Sequence, residues 1–209
     1  MRLIRVGREE DVLLALENAA GVLEKGGIVA CPTETYYGLC ARFDDENALE
    51  RLHELKGRRE EKPFPLIIGS LSLLPLLTEE TGGLAKKLMD KFWPGPLTIL
   101  LKARGGLSGH ISRGGKVAVR MPGESFALEL ARRCRLPLTA TSANISGLPP
   151  SQTAEQVLEY FDGRLDLVVD AGGAPGGLPS TIVDATCGGL KLLREGATGF
   201  EEIKSYLGI

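Results

Sequence analysis

Apolar positions recur at three- and four-residue intervals near the start of the chain. Val12, Leu13, Leu16, Ala20 and Leu23 are interleaved with Glu9, Glu10, Asp11 and Glu17. That period predicts an amphipathic helix over about residues 9–25, with Gly26-Gly27 as its stop. The run Ile28-Val29-Ala30-Cys31 then predicts a buried strand ended by Pro32. Asp44-Asp45-Glu46 places acids at the start of a second helix, where they complement its dipole. Leu49, Leu52 and Leu55 line that helix's inner face, and Gly57 fits its C-terminal cap. Further along, Leu66-Ile67-Ile68 reads as a strand and residues 84–92 as a helix that stops before Trp93-Pro94-Gly95-Pro96. Residues 97–101, 117–121 and 136–141 read as strands. Residues 125–134 read as a helix, and Thr153 with Gln156 predicts a capping box for one running to Tyr160. Residues 166–170, 181–185 and 190–193 complete the strands. The alternation predicts an α/β protein, and the hairpin-like Cys187-Gly188-Gly189 turn adds antiparallel pairing. With no internal repeat and no linker, residues 1–209 are expected to form a single domain.

Composition adds exclusions. Hydrophobic residues make up 43% and charged residues 25% of 209 positions, the balance of a globular protein able to bury a core. A formal net charge of −2 argues against coating nucleic acid by bulk positive charge, while leaving room for a local basic pocket. The cysteines (Cys31, Cys40, Cys134 and Cys187) contain no C-x-x-C pair, and His53 and His110 are the only histidines. A zinc site is not expected, and free thiols suit a reducing compartment. The N-terminal pattern is helical rather than that of a signal peptide, and no apolar stretch is long enough to span a bilayer. The expected location is cytoplasmic, with no membrane partner.

Several segments carry polar groups where a core would not want them. Pro32-Thr33-Glu34-Thr35-Tyr36-Tyr37-Gly38 follows a buried strand, a favoured ligand position in α/β folds. Its Thr and Tyr hydroxyls suit either a small polar ligand or an ordinary turn. Lys56-Gly57-Arg58-Arg59 and Lys62-Pro63 form a cationic stretch that reads as a phosphate clamp or as a solvated helix end. Arg120 shares a strand face with Ala118 and needs a partner, either an internal carboxylate or a substrate carboxylate. Ser142 and Asn144, pointing the same way if extended, suit phosphate contacts or a turn before Gly147. Asp184 reads as structural, and the two histidines have no obvious partners. There is no Ser-His-Asp arrangement and no G-x-x-x-x-G-K-[ST] loop. Gly172-Gly173-Ala174-Pro175-Gly176-Gly177 reads as a flexible loop.

Taken in order, these segments resemble the YrdC-like (TsaC-type) threonylcarbamoyl-AMP synthase family. Pro32-Thr33-Glu34-Thr35-Tyr36-Tyr37-Gly38-Leu39 is similar to its P-T-[DE]-T-x-Y-G-L motif. Lys56-Gly57-Arg58 with Lys62-Pro63 is similar to its K-x-R loop, and Phe92-Trp93-Pro94-Gly95-Pro96-Leu97-Thr98 to its F-W-P-G-P-L-T signature. Val119-Arg120-Met121-Pro122, Ser142-Ala143-Asn144, Ser180-Thr181-Ile182-Val183-Asp184 and Leu193-Arg194-Glu195-Gly196 follow in the family's order. Tyr36, Thr141, Lys62 and Ile67 depart from its usual residues.

The resemblance implies a twisted mixed β-sheet flanked by helices around a deep electropositive cavity. It implies that L-threonine, bicarbonate and ATP react, with Mg²⁺, to give threonylcarbamoyl-AMP and pyrophosphate. A tRNA-modifying threonylcarbamoyl-transferase complex would then act on the adenosine beside the anticodon. The length resembles the short form of the family. Carried over residue by residue, the resemblance puts L-threonine on Thr33, Arg120 and Ser180. It puts ATP on Lys56, Arg58, Lys62, Ser142, Asn144, Ser151 and Arg194, with Lys56 and Arg58 catalytic and no protein side chain assigned to metal. The alternatives are a module that binds tRNA or other RNA without chemistry, and a carbamoyl-transfer domain.

Overall fold

The computed structural model describes residues 1–57 and 62–209. Arg58 and Arg59 lie outside the described residues. Among the described residues twelve strands fall into two mixed sheets, consistent with the expected α/β class. The five-stranded sheet contains β1 (Arg2–Arg5), β2 (Val29–Pro32), β3 (Tyr37–Cys40), β9 (Thr141–Ser142) and β10 (Leu167–Asp170), in the order β1-β10-β2-β3-β9. The seven-stranded sheet contains β4 (Leu66–Ile67), β5 (Leu97–Lys102), β6 (Ser112–Arg113), β7 (Lys116–Arg120), β8 (Leu138–Thr139), β11 (Thr181–Asp184) and β12 (Lys191–Arg194). Its order is β12-β11-β5-β7-β4-β8, with β6 pairing on β7.

The helices are α1 (Glu9–Glu24), α2 (Glu46–Lys56), α3 (Gly83–Phe92), α4 (Phe126–Cys134), α5 (Ala154–Phe161) and α6 (Phe200–Leu207), with one 3₁₀ helix at Leu71–Leu76. Their starts follow from local hydrogen bonding. Asp45 accepts from the Ala48 N–H at 3.0 Å, Ser125 from Leu128 at 3.3 Å and Thr153 from Gln156 at 3.3 Å. Each satisfies an N–H that the first turn leaves without a helical partner. The Gln156 side chain returns to the N–H of Gln152 at 2.7 Å rather than to that of Thr153, so the expected capping box is shifted by one residue. Gly57 closes α2 with φ +52°, a left-handed conformation that glycine adopts without a Cβ penalty.

Packing sorts the apolar residues into two cores. Helices α1 and α4 cover the outer face of the five-stranded sheet through Leu16, Leu23, Phe126 and Leu130 against Val29, Cys31, Leu167 and Val169. The larger core joins the two sheets through Tyr37, Leu39, Leu66, Ile99, Val119 and Val183, with Trp93 and Phe161 at its flanks. The F-W-P-G-P segment belongs to this frame. The Trp93 indole N–H donates to the Leu97 carbonyl at 2.6 Å, and Gly95 N–H to Met121 at 2.9 Å. No helix among the described residues is long and apolar enough to cross a membrane.

Candidate active site

A cavity of about 870 Å³ opens between the two sheets. One wall is a face of the seven-stranded sheet. In β7, Lys116, Ala118 and Arg120 alternate into it, joined by Thr98 and Leu100 of β5 and Ile182 of β11. The opposite wall is the turn at residues 33–36 with the chain around Thr141 and Ser142. Among the described residues, Lys62, Arg113, Lys116, Arg120 and Arg194 line the space, and no Asp or Glu does. Clustered cations facing a cleft with apolar walls concentrate anionic ligands there.

The structure brings Thr33, Arg120, Ser180, Lys62, Ser142 and Arg194 to this one cavity. Thr33 shapes the turn. Its hydroxyl donates to the Tyr36 carbonyl at 2.8 Å and accepts from the Thr35 N–H at 3.1 Å. Ser180 lies 3.0 Å from the Thr98 hydroxyl. The Arg194 guanidinium grips Ser180, with Nη2 donating to the carbonyl at 2.7 Å and to Oγ at 3.1 Å. Gly196 permits this approach, because a Cβ there would stand 2.0 Å from the Pro179 carbonyl oxygen. Burial and the nearby Arg120 charge hold the Arg194 pKa below its ordinary value. Arg120 is ion-paired through Nη1 with an internal carboxylate, that of Glu34.

Lys56, Asn144 and Ser151 sit behind the wall rather than in its lining. Lys56 is 2% exposed. Its ammonium donates to the Ser142 carbonyl at 2.5 Å, the Asn144 carbonyl at 2.9 Å and Asn144 Oδ1 at 3.2 Å. The Ser142 hydroxyl donates to the same Oδ1 at 2.5 Å, and the Ser151 hydroxyl to the Ala143 carbonyl at 2.5 Å. A buried ammonium needs this saturation of its donors, and in return it fixes the Ser-Ala-Asn segment to the end of α2.

The two tyrosines of the first motif take the turn reading rather than the ligand reading. The Tyr36 hydroxyl donates to the Gly177 carbonyl at 2.5 Å and that of Tyr37 to Gly172 at 2.7 Å. Both ends of the 172–177 loop are thereby tied to the 33–37 segment, and these hydroxyls serve the scaffold. The histidines also have neighbours. His53 and His110 rings are 5.4 Å apart, and His110 Nε2 is 3.6 Å from Glu46. Sequence reasoning missed Lys116 and Arg113 as lining residues. Lys116 was within reach of the strand-face argument that joined Ala118 to Arg120, since it is two positions earlier. It donates to Asp184 at 2.6 Å and to Cys187 Sγ at 3.3 Å.

Comparison with known proteins follows this geometry. The Sua5/YciO/YrdC family model, described as telomere recombination, matches residues 21–196. Threonylcarbamoyl-AMP synthase of Pyrococcus abyssi is 41% identical over 192 residues, covering 91% of this chain and 56% of that protein. The Bacillus subtilis enzyme of that name is 38% identical over 195 residues, covering 92% and 56%. The chain therefore spans little more than half the length of these relatives. The crystal structure of P. abyssi Sua5 complexed with L-threonine superimposes with a TM-score of 0.89 at 38% identity, covering 99% of this chain and 60% of the other.

Proposed function

The chain belongs to the Sua5/YciO/YrdC family, and from that premise we propose that it is a threonylcarbamoyl-AMP synthase of the nucleotidyltransferase class. The reaction is L-threonine + bicarbonate + ATP → L-threonylcarbamoyladenylate + pyrophosphate + water. The observation that carries the proposal is a single cavity holding both ends of such chemistry: Thr33, Arg120 and Ser180 together with Lys62, Ser142 and Arg194. A P. abyssi relative solved with L-threonine supports the amino-acid end.

Arg120 receives the threonine carboxylate as a charge-assisted contact, with Thr33 and Ser180 beside the other polar groups. The threonine nitrogen bonds to the carbon of CO₂ with loss of a proton, or to the carbon of bicarbonate with loss of water, giving a carbamate. A carbamate oxygen then bonds to the α-phosphorus as the bond to pyrophosphate breaks. Negative charge builds on phosphate oxygens, so fixed cations and donors supply the stabilisation. Lys62, Ser142 and Arg194 take this part from the lining, joined by Arg58 and, as further candidates, Arg113 and Lys116. Lys56, Asn144 and Ser151 hold Ser142 in place from behind, and Lys56 reaches phosphate only by releasing loop carbonyls.

Mg²⁺ would accompany ATP and neutralise phosphate charge; no protein side chain is assigned to it. In this reading the product passes to a threonylcarbamoyl-transferase complex acting on tRNA, and the enzyme works in the cytoplasm.

The test is pyrophosphate release from ATP in the presence of bicarbonate, with and without L-threonine and with L-serine as control. Release that requires both threonine and bicarbonate is expected. A folded, nucleotide-binding protein that releases none under any condition overturns the proposal and leaves RNA binding as the reading to pursue.

A further inference from the structure

Glu34 is the one acid within the 33–36 turn, and it is not among the residues that line the cavity. It lies behind Arg120. Its Oε1 accepts from Arg120 Nη1, and the two side chains are 13% and 7% exposed. Its other oxygen, Oε2, is buried with no hydrogen-bond partner. Gly123 is packed against the Glu34 stem, where a Cβ would stand 3.3 Å from Cγ. Among the described residues, Arg120 is the ionic partner of this confined carboxylate.

Arg120 gains in turn. A guanidinium presents five N–H donors in a rigid fork, and Glu34 engages it at Nη1. Arg120 and Arg194 line one cavity, and the charge of Arg120 already depresses the pKa of Arg194. A buried counter-charge on the far side lets both cations stand in the cavity while no anionic ligand is present.

We infer that Glu34 is a positioning residue for amino-acid binding: it anchors Arg120 from outside the cavity and leaves the rest of the guanidinium fork for a substrate carboxylate. The inference rests on the function proposed above. It predicts that loss of the Glu34 charge weakens the amino-acid site. If Glu34 instead competed with substrate for Arg120, removing its charge would tighten that site. The position of Glu34 outside the lining favours anchoring.

The experiment is calorimetric titration of L-threonine into the wild-type protein, E34Q, E34D and E34A, paired with pyrophosphate-release kinetics and thermal unfolding. In E34Q, threonine binding should weaken by about tenfold, the value of one charge-assisted hydrogen bond. The half-saturating ATP concentration and the turnover at saturating threonine should stay within about threefold of wild type, the split expected when ground-state binding alone is lost. E34D, which retains the charge, should bind threonine better than E34A. Unchanged or tighter threonine binding by folded E34Q overturns the inference and leaves the proposed function standing. Equal losses toward ATP and threonine also overturn it, since they signal general damage. A wild-type protein that binds no threonine overturns the proposed function and this inference together.

Discussion

Arg120 and Glu34 form a nearly buried ion pair. Breaking such a pair from one side leaves an uncompensated charge, whereas removing both charges is far milder. R120Q should therefore destabilise the protein by about 3 kcal/mol, and R120Q/E34Q should recover most of that loss in urea unfolding. Additive losses would show that the two charges are not coupled in the fold. Asp184 gives a prediction in pH. Burial pushes its carboxyl up, but hydrogen bonds from Lys116 and Thr186 outweigh this and the net shift is downward. A depressed carboxylate contributes stability that is present above the unfolded value of about 3.9 and is lost as pH falls through the folded value. D184N should flatten the acid limb of a melting-temperature profile below roughly pH 4. At this scale the sequence marked the candidates but not their partners. Arg120 announced that it needed an anion, yet Glu34 is 86 positions away and only the tertiary fold brings the two together.

Among the elements, those with strong signals were legible. The starts of α2, α4 and α5 carry Asp45, Ser125 and Thr153 as caps, and S125A should cost about 1 kcal/mol in unfolding free energy. The strands over Leu97–Lys102 and Lys116–Arg120 were found within one residue at each end. Other elements were hidden for physical reasons. Strand β3 follows β2 after a four-residue turn, so Tyr37-Gly38 reads as loop until the antiparallel register of Cys31 with Gly38 is known. Strand β1 shows little apolar pattern because much of it is exposed. Its pairing with β10 fixes it rather than its own composition. The run at residues 136–141 splits into β8 and β9, which join different sheets. Lys56 read in the sequence as part of a phosphate clamp or of a solvated helix end, and its hydrogen bonds to Ser142 and Asn144 were invisible there. K56M should speed amide exchange at Ser146, whose N–H is held at 2.9 Å by the Lys56 carbonyl. It should do so while α1 and α4 exchange as in wild type. Unchanged exchange at Ser146 would show that the ammonium does not hold the loop.

The whole molecule carries a net charge of −2, yet five cations among its described residues gather around one cavity. Bulk charge and local field thus have opposite signs, and the bulk count alone gave no sight of the field. Any ligand with several phosphates should stabilise the fold by binding the native state alone. Pyrophosphate or ATP is expected to raise the melting temperature, by an amount that shrinks as salt screens the cations. A salt-independent rise would point to apolar contacts instead.

The parallel pairing of Arg2–Arg5 with Leu167–Asp170 has a further consequence, for the order of events on the ribosome. Strand β1 lacks this neighbour until Leu167–Asp170 has been made. At about 5–20 residues per second, it waits on the order of ten seconds. The strands Thr181–Asp184 and Lys191–Arg194, which bring Ser180 and Arg194 to the cavity, emerge later still. The binding chamber is therefore completed only after α1 to α5 have emerged, so a translation product that stops before Thr181 is born without it.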